Sequence, residues 1–297
     1  MKNILYLLTA TAAWGLNFFL AKIMMESSPA LIAGFWRYVV AVFILLLLLW
    51  GNLPSWKQVM AQSKRLLLVG IIGIFGFNYL FFTGLEQTSA MNAALIMSMN
   101  PALTLVLNRL ILKVPITRLH VLGVSIALVG AICLMTRGDF MAIGQVTIGK
   151  GDGLMWLANL TFAFYHIWVK QYSGGMQNIH FTFFTTLICC ICFLIAVQPY
   201  ALFAWLAYPP VYWYSAIGMG GTGTALAYFA WNRGVAGLGV ERAAIFMNTV
   251  PLFTSFFALL FGANLAFYHL WSGLIIISGL VLMQLQHWKT KKLVLKG

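Results

Sequence analysis

Ala93-Ala94-Leu95-Ile96-Met97-Ser98-Met99-Asn100-Pro101-Ala102-Leu103-Thr104 has a counterpart 150 residues later, Ala243-Ala244-Ile245-Phe246-Met247-Asn248-Thr249-Val250-Pro251-Leu252-Phe253-Thr254. Each stretch sets a proline inside an apolar run with an asparagine beside it or close by. The same offset lays the stretch from Gly70 to Gly130 on that from Gly220 to Leu280 without a gap. It superposes Gly70 on Gly220, Gly73 on Gly223, Gly84 on Gly234 and Gly123 on Gly273. Matches of this number, with both prolines in register, point to two copies of one unit.

The surrounding composition says where such a unit lives. Of 297 residues, 62% are hydrophobic and 8% charged, whereas a soluble domain carries roughly 25% charged residues. An ordinary soluble enzyme is excluded. Runs such as Val39 to Leu49 have no polar face, and a helix apolar all round belongs in lipid or in a bundle core. The apolar runs predict helices at 4–24, 31–50, 66–85, 90–112 and 119–136, then at 153–172, 181–197, 211–231, 242–262 and 270–287. A span takes about 20 residues, so ten of them leave only short connections and no soluble domain. The expected fold class is therefore an all-α integral membrane protein of ten transmembrane helices. Its first repeat covers 1–136, a connecting loop 137–152 and its second repeat 153–297. Because five is odd, the second copy enters from the opposite face, which gives two inverted-topology five-helix repeats, a construction used by secondary transporters.

The 18 Lys and Arg against 5 Asp and Glu give a net charge of +13. In a soluble protein that excess would point to nucleic acid. Here most of the cations lie in short connections between apolar runs, so no nucleic-acid partner is expected. Lys2, Lys57, Lys64, Arg65, Lys113, Arg118, Lys170, Arg233, Arg242 and the lysines of the C-terminal tail fall on the side of the two termini. Lys22, Arg137 and Lys150 fall on the other, with Arg37 and Arg109 inside helices. The cation bias predicts that both termini are cytoplasmic. Lys2 and Ala10-Thr11-Ala12 imitate a cleavable signal, but apolar residues continue through Trp14 to Ala21 and make a full span. Cys133, Cys189, Cys190 and Cys192 lie in apolar stretches with no flanking His or carboxylate, so apolar packing is expected and no metal or cofactor.

The order of short motifs resembles the bacterial ten-helix, EamA-type transporters of the drug/metabolite transporter superfamily. The first repeat shows Ala13-Trp14-Gly15-Leu16-Asn17-Phe18, Phe35-Trp36-Arg37-Tyr38, Gly84-Leu85, Ala93-Ala94-Leu95 and Asn100-Pro101. The second shows Ala243-Ala244-Ile245, Val250-Pro251-Leu252-Phe253, Gly273 and Gly279. Family members carry a Gly-Glu pair after the fourth and ninth helices, where this chain reads Leu112-Lys113 and Ala263-Asn264. The resemblance implies movement of small metabolites across the bacterial inner membrane, often outward, and no enzymatic activity.

The residues themselves nominate a site. Pro101 and Pro251 each remove a backbone hydrogen bond and leave carbonyls near midplane that need partners or a water-filled cavity. Asn100, with Thr104 one turn on, and Asn248 would supply amide groups there. Asn159, His166 and Lys170 share one side of the sixth helix, with Thr11, Phe18 and Lys22 as first-half counterparts. An intramembrane imidazole is costly and calls for a cavity or partner; Lys22 and Lys170 can snorkel. Arg37 can snorkel, pack against Asn17 or a carbonyl, or anchor a carboxylate with its two-pronged guanidinium. Asn78 and Phe81 match Tyr228 and Trp231, and the hydroxyls of Tyr165 and Tyr228 need partners at depth. With Trp14, one turn from Asn17, they are expected to wall a pocket. The substrate-binding set is thus Trp14, Asn17, Arg37, Asn78, Asn100, Tyr165, His166, Tyr228 and Asn248, with helix kinks at Pro101 and Pro251.

Two motifs are declined. Gly218-Met219-Gly220-Gly221-Thr222-Gly223 contains a dinucleotide fingerprint, yet sits inside an apolar span, where small residues serve close helix packing. No HExxH, paired intramembrane carboxylates or Gly-x-Ser-x-Gly elbow is present. Glu26, Glu86, Asp139, Asp152 and Glu241 all lie at or beyond helix ends, so a lipophilic cation finds no midplane carboxylate. The expected function is export of neutral or zwitterionic metabolites, with a membrane-embedded enzyme or a non-transporting membrane scaffold as the alternatives. Partners are then a small-molecule substrate and the lipid bilayer. The sequence leaves the oligomeric state open.

Overall fold

The computed structural model describes residues 2–88, 90–145, 149–197, 206–262 and 266–294, and their side chains apart from those of 90, 91, 145 and 284–294. Among these residues every extended element is helical: α1 (Lys2–Met25), α2 (Ala30–Leu48), α3 (Trp56–Leu85), α4 (Ala90–Ser98 and Asn100–Ile111) and α5 (Arg118–Met135). They are followed by α6 (Lys150–Tyr172), α7 (Asn178–Ala196), α8 (210–238), α9 (Val240–Leu260) and α10 (Phe267–Val294). Among the described residues, seven stretches are long and apolar enough to cross a membrane: α1, α2, α3, the Asn92–Ile111 part of α4, α5, α7 and α9. Ala263-Asn264, one of the two departures noted above, lies outside the described residues, as do the side chains of the tail lysines.

Two boundaries differ from the expected ones for physical reasons. Helix α3 begins at Trp56 rather than Leu66, because the Ser55 side chain caps it by accepting from the Gln58 amide at 3.3 Å. Its first turns are polar on one face (Lys57, Gln62, Lys64 and Arg65), so they carry no apolar run. Helix α8 continues past Trp231 to Leu238 and stops at Gly239, whose φ of 93° suits a residue without a side chain. Helix α9 restarts at the next residue.

The prolines do not bend continuous helices. In α4 the helix breaks at Met99, and in α9 a 3-10 stretch spans Ile245–Thr249. Pro101 and Pro251 then stand in the first turn of the restarted segments, where the missing amide proton has no intrahelical partner to lose. A second irregularity was not anticipated. Helix α3 widens into a π-helix over Val69–Gly76, and α8 does so over Gly221–Leu226. The 150-residue offset superposes most of one on the other.

Helix contacts come in matched couples. Helix α1 packs on α8 and α6 on α3; α1 on α9 and α6 on α4; α2 on α8 and α7 on α3. The pairs α2–α7 and α5–α10 map onto themselves when the halves are exchanged, and α5–α10 is among the most extensive interfaces. That last crossing is a backbone approach: a Cβ at Gly123 would come within 2.9 Å of the Gly279 carbonyl, and one at Gly279 within 2.6 Å of the Gly123 carbonyl. Small residues permit such approach where helices associate in lipid. Exposed apolar side chains such as Phe43, Leu47, Leu122, Val129, Ile191, Ile195, Leu274 and Ile277 cover the outside. A soluble monomer rarely shows so much apolar surface, and a bilayer removes the penalty. The buried core gathers rings and aliphatic groups from both halves, among them Leu7, Tyr38, Phe162, Tyr165, Tyr228, Trp231 and Phe246.

Candidate functional site

The π-helix of α8 turns backbone oxygens away from their usual helical partners and toward α1 and α2. The Gly223 carbonyl accepts from Trp14 Nε1 at 3.1 Å and from Arg37 Nη2 at 3.3 Å. Arg37 Nε also donates to Thr224 Oγ1 at 2.6 Å, and its guanidinium lies 5.2 Å from the Tyr38 ring centre. Asn17 packs against Gly223 so closely that a side chain there would collide with its amide. The sequence left snorkelling, packing and anion binding open for Arg37. Its side chain is buried and committed to the π-helix, across the junction between the two halves.

Beside this tie lies a box of rings. Trp14 faces Phe162, Tyr228 and Trp231 at centroid separations of 5.8, 5.8 and 5.2 Å. His166 lies 4.6 Å from Phe162 and 4.8 Å from Trp231, and Tyr165 lies 5.7 Å from Tyr228. The hydroxyls find the partners that depth requires. Asn78 Nδ2 donates to Tyr38 Oη at 2.9 Å and to Tyr228 Oη at 3.4 Å, while the two hydroxyls are 3.3 Å apart. Tyr165 Oη donates to Asn232 Oδ1 at 2.5 Å, and Asn232 Nδ2 donates to Thr182 Oγ1 at 3.0 Å.

A polar chain runs from α4 to α6. Asn100 Nδ2 donates to Asn159 Oδ1 at 2.6 Å, and Asn159 Nδ2 donates to the Ile96 carbonyl at 2.6 Å. Thr104 Oγ1 donates to Asn100 Oδ1 at 3.3 Å and lies 3.4 Å from His166 Nδ1. Because the hydroxyl proton goes to Asn100, which has no other donor for its oxygen, Thr104 is left to accept from His166 Nδ1–H. His166 Nε2 then carries a lone pair, and it has no partner. Trp231 Nε1, whose ring packs on the imidazole, has none either. An acceptor and a donor thus stand unsatisfied in a fully buried region, where an unmade hydrogen bond costs roughly 1–3 kcal/mol.

Eight of the nine nominated residues are connected in this way: Trp14, Asn17, Arg37, Asn78, Asn100, Tyr165, His166 and Tyr228. Asn248 is buried in the 3-10 stretch of α9 with both amide atoms unpartnered. Among the described residues no hydrogen bond or ring contact joins it to the cluster, although its neighbour Thr249 donates to Thr11 Oγ1 at 2.9 Å. Lys170 is exposed at its helix end and donates to the Ala236 carbonyl at 2.9 Å. Sequence reasoning passed over Tyr38, Phe162, Trp231, Asn232 and Thr182 as site residues. Asn232 carried a usable signal, since it lies one turn beyond Tyr228 on the same helix face. Tyr38 did not, because Phe35-Trp36-Arg37-Tyr38 reads equally well as lipid-facing.

Comparison with known proteins fits this architecture. The family model described as "EamA-like transporter family" matches residues 1–136 and again 149–285. An uncharacterized transporter of Bacillus subtilis (strain 168), YyaM, is 29% identical over 90% of this chain and 88% of its own length. A second from the same organism, YrdR, is 23% identical over 93% of this chain and 88% of its own. A solved crystal structure shares the fold with a TM-score of 0.79 over 97% of this chain and 98% of that one, at 16% identity. With its apolar spans and its lipid-facing surface, the chain is a multi-pass membrane protein and belongs to the EamA-like transporter family, within the drug/metabolite transporter superfamily.

Proposed function

We propose that the protein is a secondary exporter of small neutral or zwitterionic metabolites, amino acids or similar solutes, in the bacterial inner membrane. In this reading ten membrane-crossing helices form two inverted halves, 1–136 and 153–297, that rock to expose one central site to each side in turn. The carrying observation is the buried polar and aromatic cluster, built by α1, α2, α3, α4, α6 and α8 and flanked by repeat-equivalent π-helices. Such irregularities inside helices frequently accompany functional sites. The matched helix couples support the two-half arrangement, since the main interhelical contacts recur when the halves are exchanged. Trp14, Asn17, Arg37, Asn78, Asn100, Tyr165, His166, Tyr228 and Asn248 are the solute-facing and site-shaping residues, and Pro101 and Pro251 mark where α4 and α9 restart.

The acids favour a substrate without net positive charge. Glu26, Glu86 and Asp139 lie off the helices, while Asp152 and Glu241 stand in the first turns of α6 and α9. A cation at midplane would meet Arg37 and no carboxylate, and an uncompensated buried charge costs on the order of several kcal/mol.

Purified protein in liposomes preloaded with a mixture of L-amino acids should exchange external radiolabelled amino acids, recovered chemically unchanged. The Asn100→Leu, Asn248→Leu double variant should still fold, with a lowered thermal unfolding midpoint because Asn159 Oδ1 loses its donor, and should lose exchange roughly tenfold or more, the worth of one or two hydrogen bonds to a charged solute. Wild-type exchange by a folded double variant would place the site elsewhere. Gradient-driven accumulation of a quaternary ammonium ion, unaffected by His166→Ala, would overturn the substrate class, and chemical conversion of the solute would favour an enzyme. For orientation, a reporter active only in the cytoplasm should give signal when fused at Lys57 and none at Lys150. The reverse pattern would invert the topology.

A further inference from the structure

A cavity of about 230 Å³ opens one helical turn beyond Thr104 and His166, where the end of α4, the end of α6 and the α8–α9 turn meet. Asn108, Val114, Lys170, Gly239, Glu241 and Arg242 line it. Its walls carry both signs. On one wall Asn108, 2% exposed, donates from Nδ2 to Glu241 Oε2 at 3.3 Å and leaves Oδ1 without a partner. Glu241 folds back over its own helix start, so that a Cβ at Gly239 would meet Oε1 at 2.8 Å. Arg242 stands beside Glu241, its Nε 3.9 Å from Oε1, and the Lys170 ammonium, which has two protons beyond its bond to the Ala236 carbonyl, completes the other part of the lining. The start of α9 adds the partial positive charge of a helix N-terminus.

We infer that this cleft is a second binding site, a vestibule that takes a zwitterionic solute of amino-acid size before or after the central cluster. The solute's ammonium would donate to Asn108 Oδ1 and the Glu241 carboxylate, and its carboxylate would accept from Lys170 at the start of α9. A simple anion is opposed by Glu241 and a simple cation by Lys170 and Arg242, so only a solute carrying both groups satisfies both walls. The volume lies below the roughly 300–1,000 Å³ of pockets for drug-sized ligands. The inference rests on the transporter reading for its solute class, but it concerns different residues from the central cluster.

The test uses full-length protein in detergent with Val114→Cys as a reporter. Its rate of reaction with a hydrophilic maleimide is followed by mass spectrometry of the peptide that carries it, so the native cysteines do not interfere. The probes are an equimolar mixture of the L-amino acids other than cysteine, whose thiol would consume the maleimide, sodium acetate and methylammonium chloride. The mixture should slow labelling several-fold, and acetate and methylammonium at equal concentration should not. Asn108→Leu and Glu241→Gln should each require roughly tenfold more of the mixture for the same protection, the worth of one hydrogen bond to a charged group. If Asn108→Leu fails to fold, Lys170→Gln, on an exposed side chain, supplies the same arm. The Asn100→Leu, Asn248→Leu variant should keep full protection while losing exchange, which separates failure of the vestibule from failure of the transport reading. No protection by the mixture, equal protection by acetate or methylammonium alone, or unchanged protection in all three cleft variants would overturn the inference.

Discussion

Replacing Arg37 by Met is expected to abolish amino-acid exchange and to lower the thermal unfolding midpoint, with Arg37→Lys recovering only part of either. Arg37 belongs to α2, and both of its hydrogen bonds end on the π-helix of α8, at Thr224 Oγ1 and the Gly223 carbonyl. Hydrogen bonds from a charged donor contribute about 1.5–3 kcal/mol each, so losing the pair should cost about 3 kcal/mol or more. Methionine fills the space but leaves Thr224 Oγ1 without its donor and the Gly223 carbonyl with Trp14 Nε1 alone. A lysine ammonium is a compact point charge and lacks the fork that reaches two acceptors in fixed geometry. The measurement separates two roles for the same side chain. If Arg37 positions the π-helix, stability and exchange fall together and every solute is affected. If it anchors a solute carboxylate, stability stays near wild type and neutral solutes still cross. Wild-type melting together with wild-type exchange in Arg37→Met would remove both roles.

This case also marks where sequence reading stops. The apolar runs located the helices, because a bilayer demands stretches of a length that periodicity and composition reveal. The start of α3 escaped, since Trp56–Leu68 has a polar face and its signal was a serine cap rather than apolarity. The π-helices escaped as well. Gly70, Gly73 and Gly76 and the glycines from Gly218 to Gly223 announced close packing, but the widened backbone follows from what packs against them. Part of the cluster, Arg37, Asn78, Asn100, Tyr165, His166 and Tyr228, was legible from depth: an amide, hydroxyl, imidazole or guanidinium inside an apolar span needs a partner. Which partner was not legible. Repeat symmetry drew attention to Asn100 and Asn248 together, yet the offset that aligns the prolines sets Asn100 on Val250. Their fates differ accordingly, with Asn100 bound to Asn159 and Thr104 while both Asn248 amide atoms lack partners. Likewise the counterpart of His166 is Phe18, which faces outward with 52% exposure. Function in such a fold resides in the positions where the two copies have diverged, and a repeat alignment is blind to the chemistry of divergence.

His166 is the sharpest of these divergent positions, and His166→Phe is expected to lower exchange by roughly tenfold or more, the worth of a hydrogen bond to a charged solute group. Phenylalanine keeps a ring against Phe162 and Trp231, so the loss reports the nitrogens rather than packing. The chain from Asn159 through Asn100 and Thr104 favours the Nδ1–H tautomer, which leaves a lone pair on Nε2; the ring of Trp231, whose indole N–H also lacks a partner among the described residues, lies 4.8 Å from the imidazole. An acceptor and a donor side by side match a solute that offers an amino and a carboxylate group. Nitrogen NMR of protein labelled at histidine should therefore show a bare Nε2 for His166, and Thr104→Val should disturb that signal because Nδ1–H loses its acceptor. A merely structural imidazole would tolerate Phe with exchange intact. Protonated Nε2 in the wild type, or His166→Phe exchanging at the wild-type rate, would remove His166 from the site and leave Trp14, Tyr165 and Tyr228 to recognise the solute by shape and by their own polar edges alone.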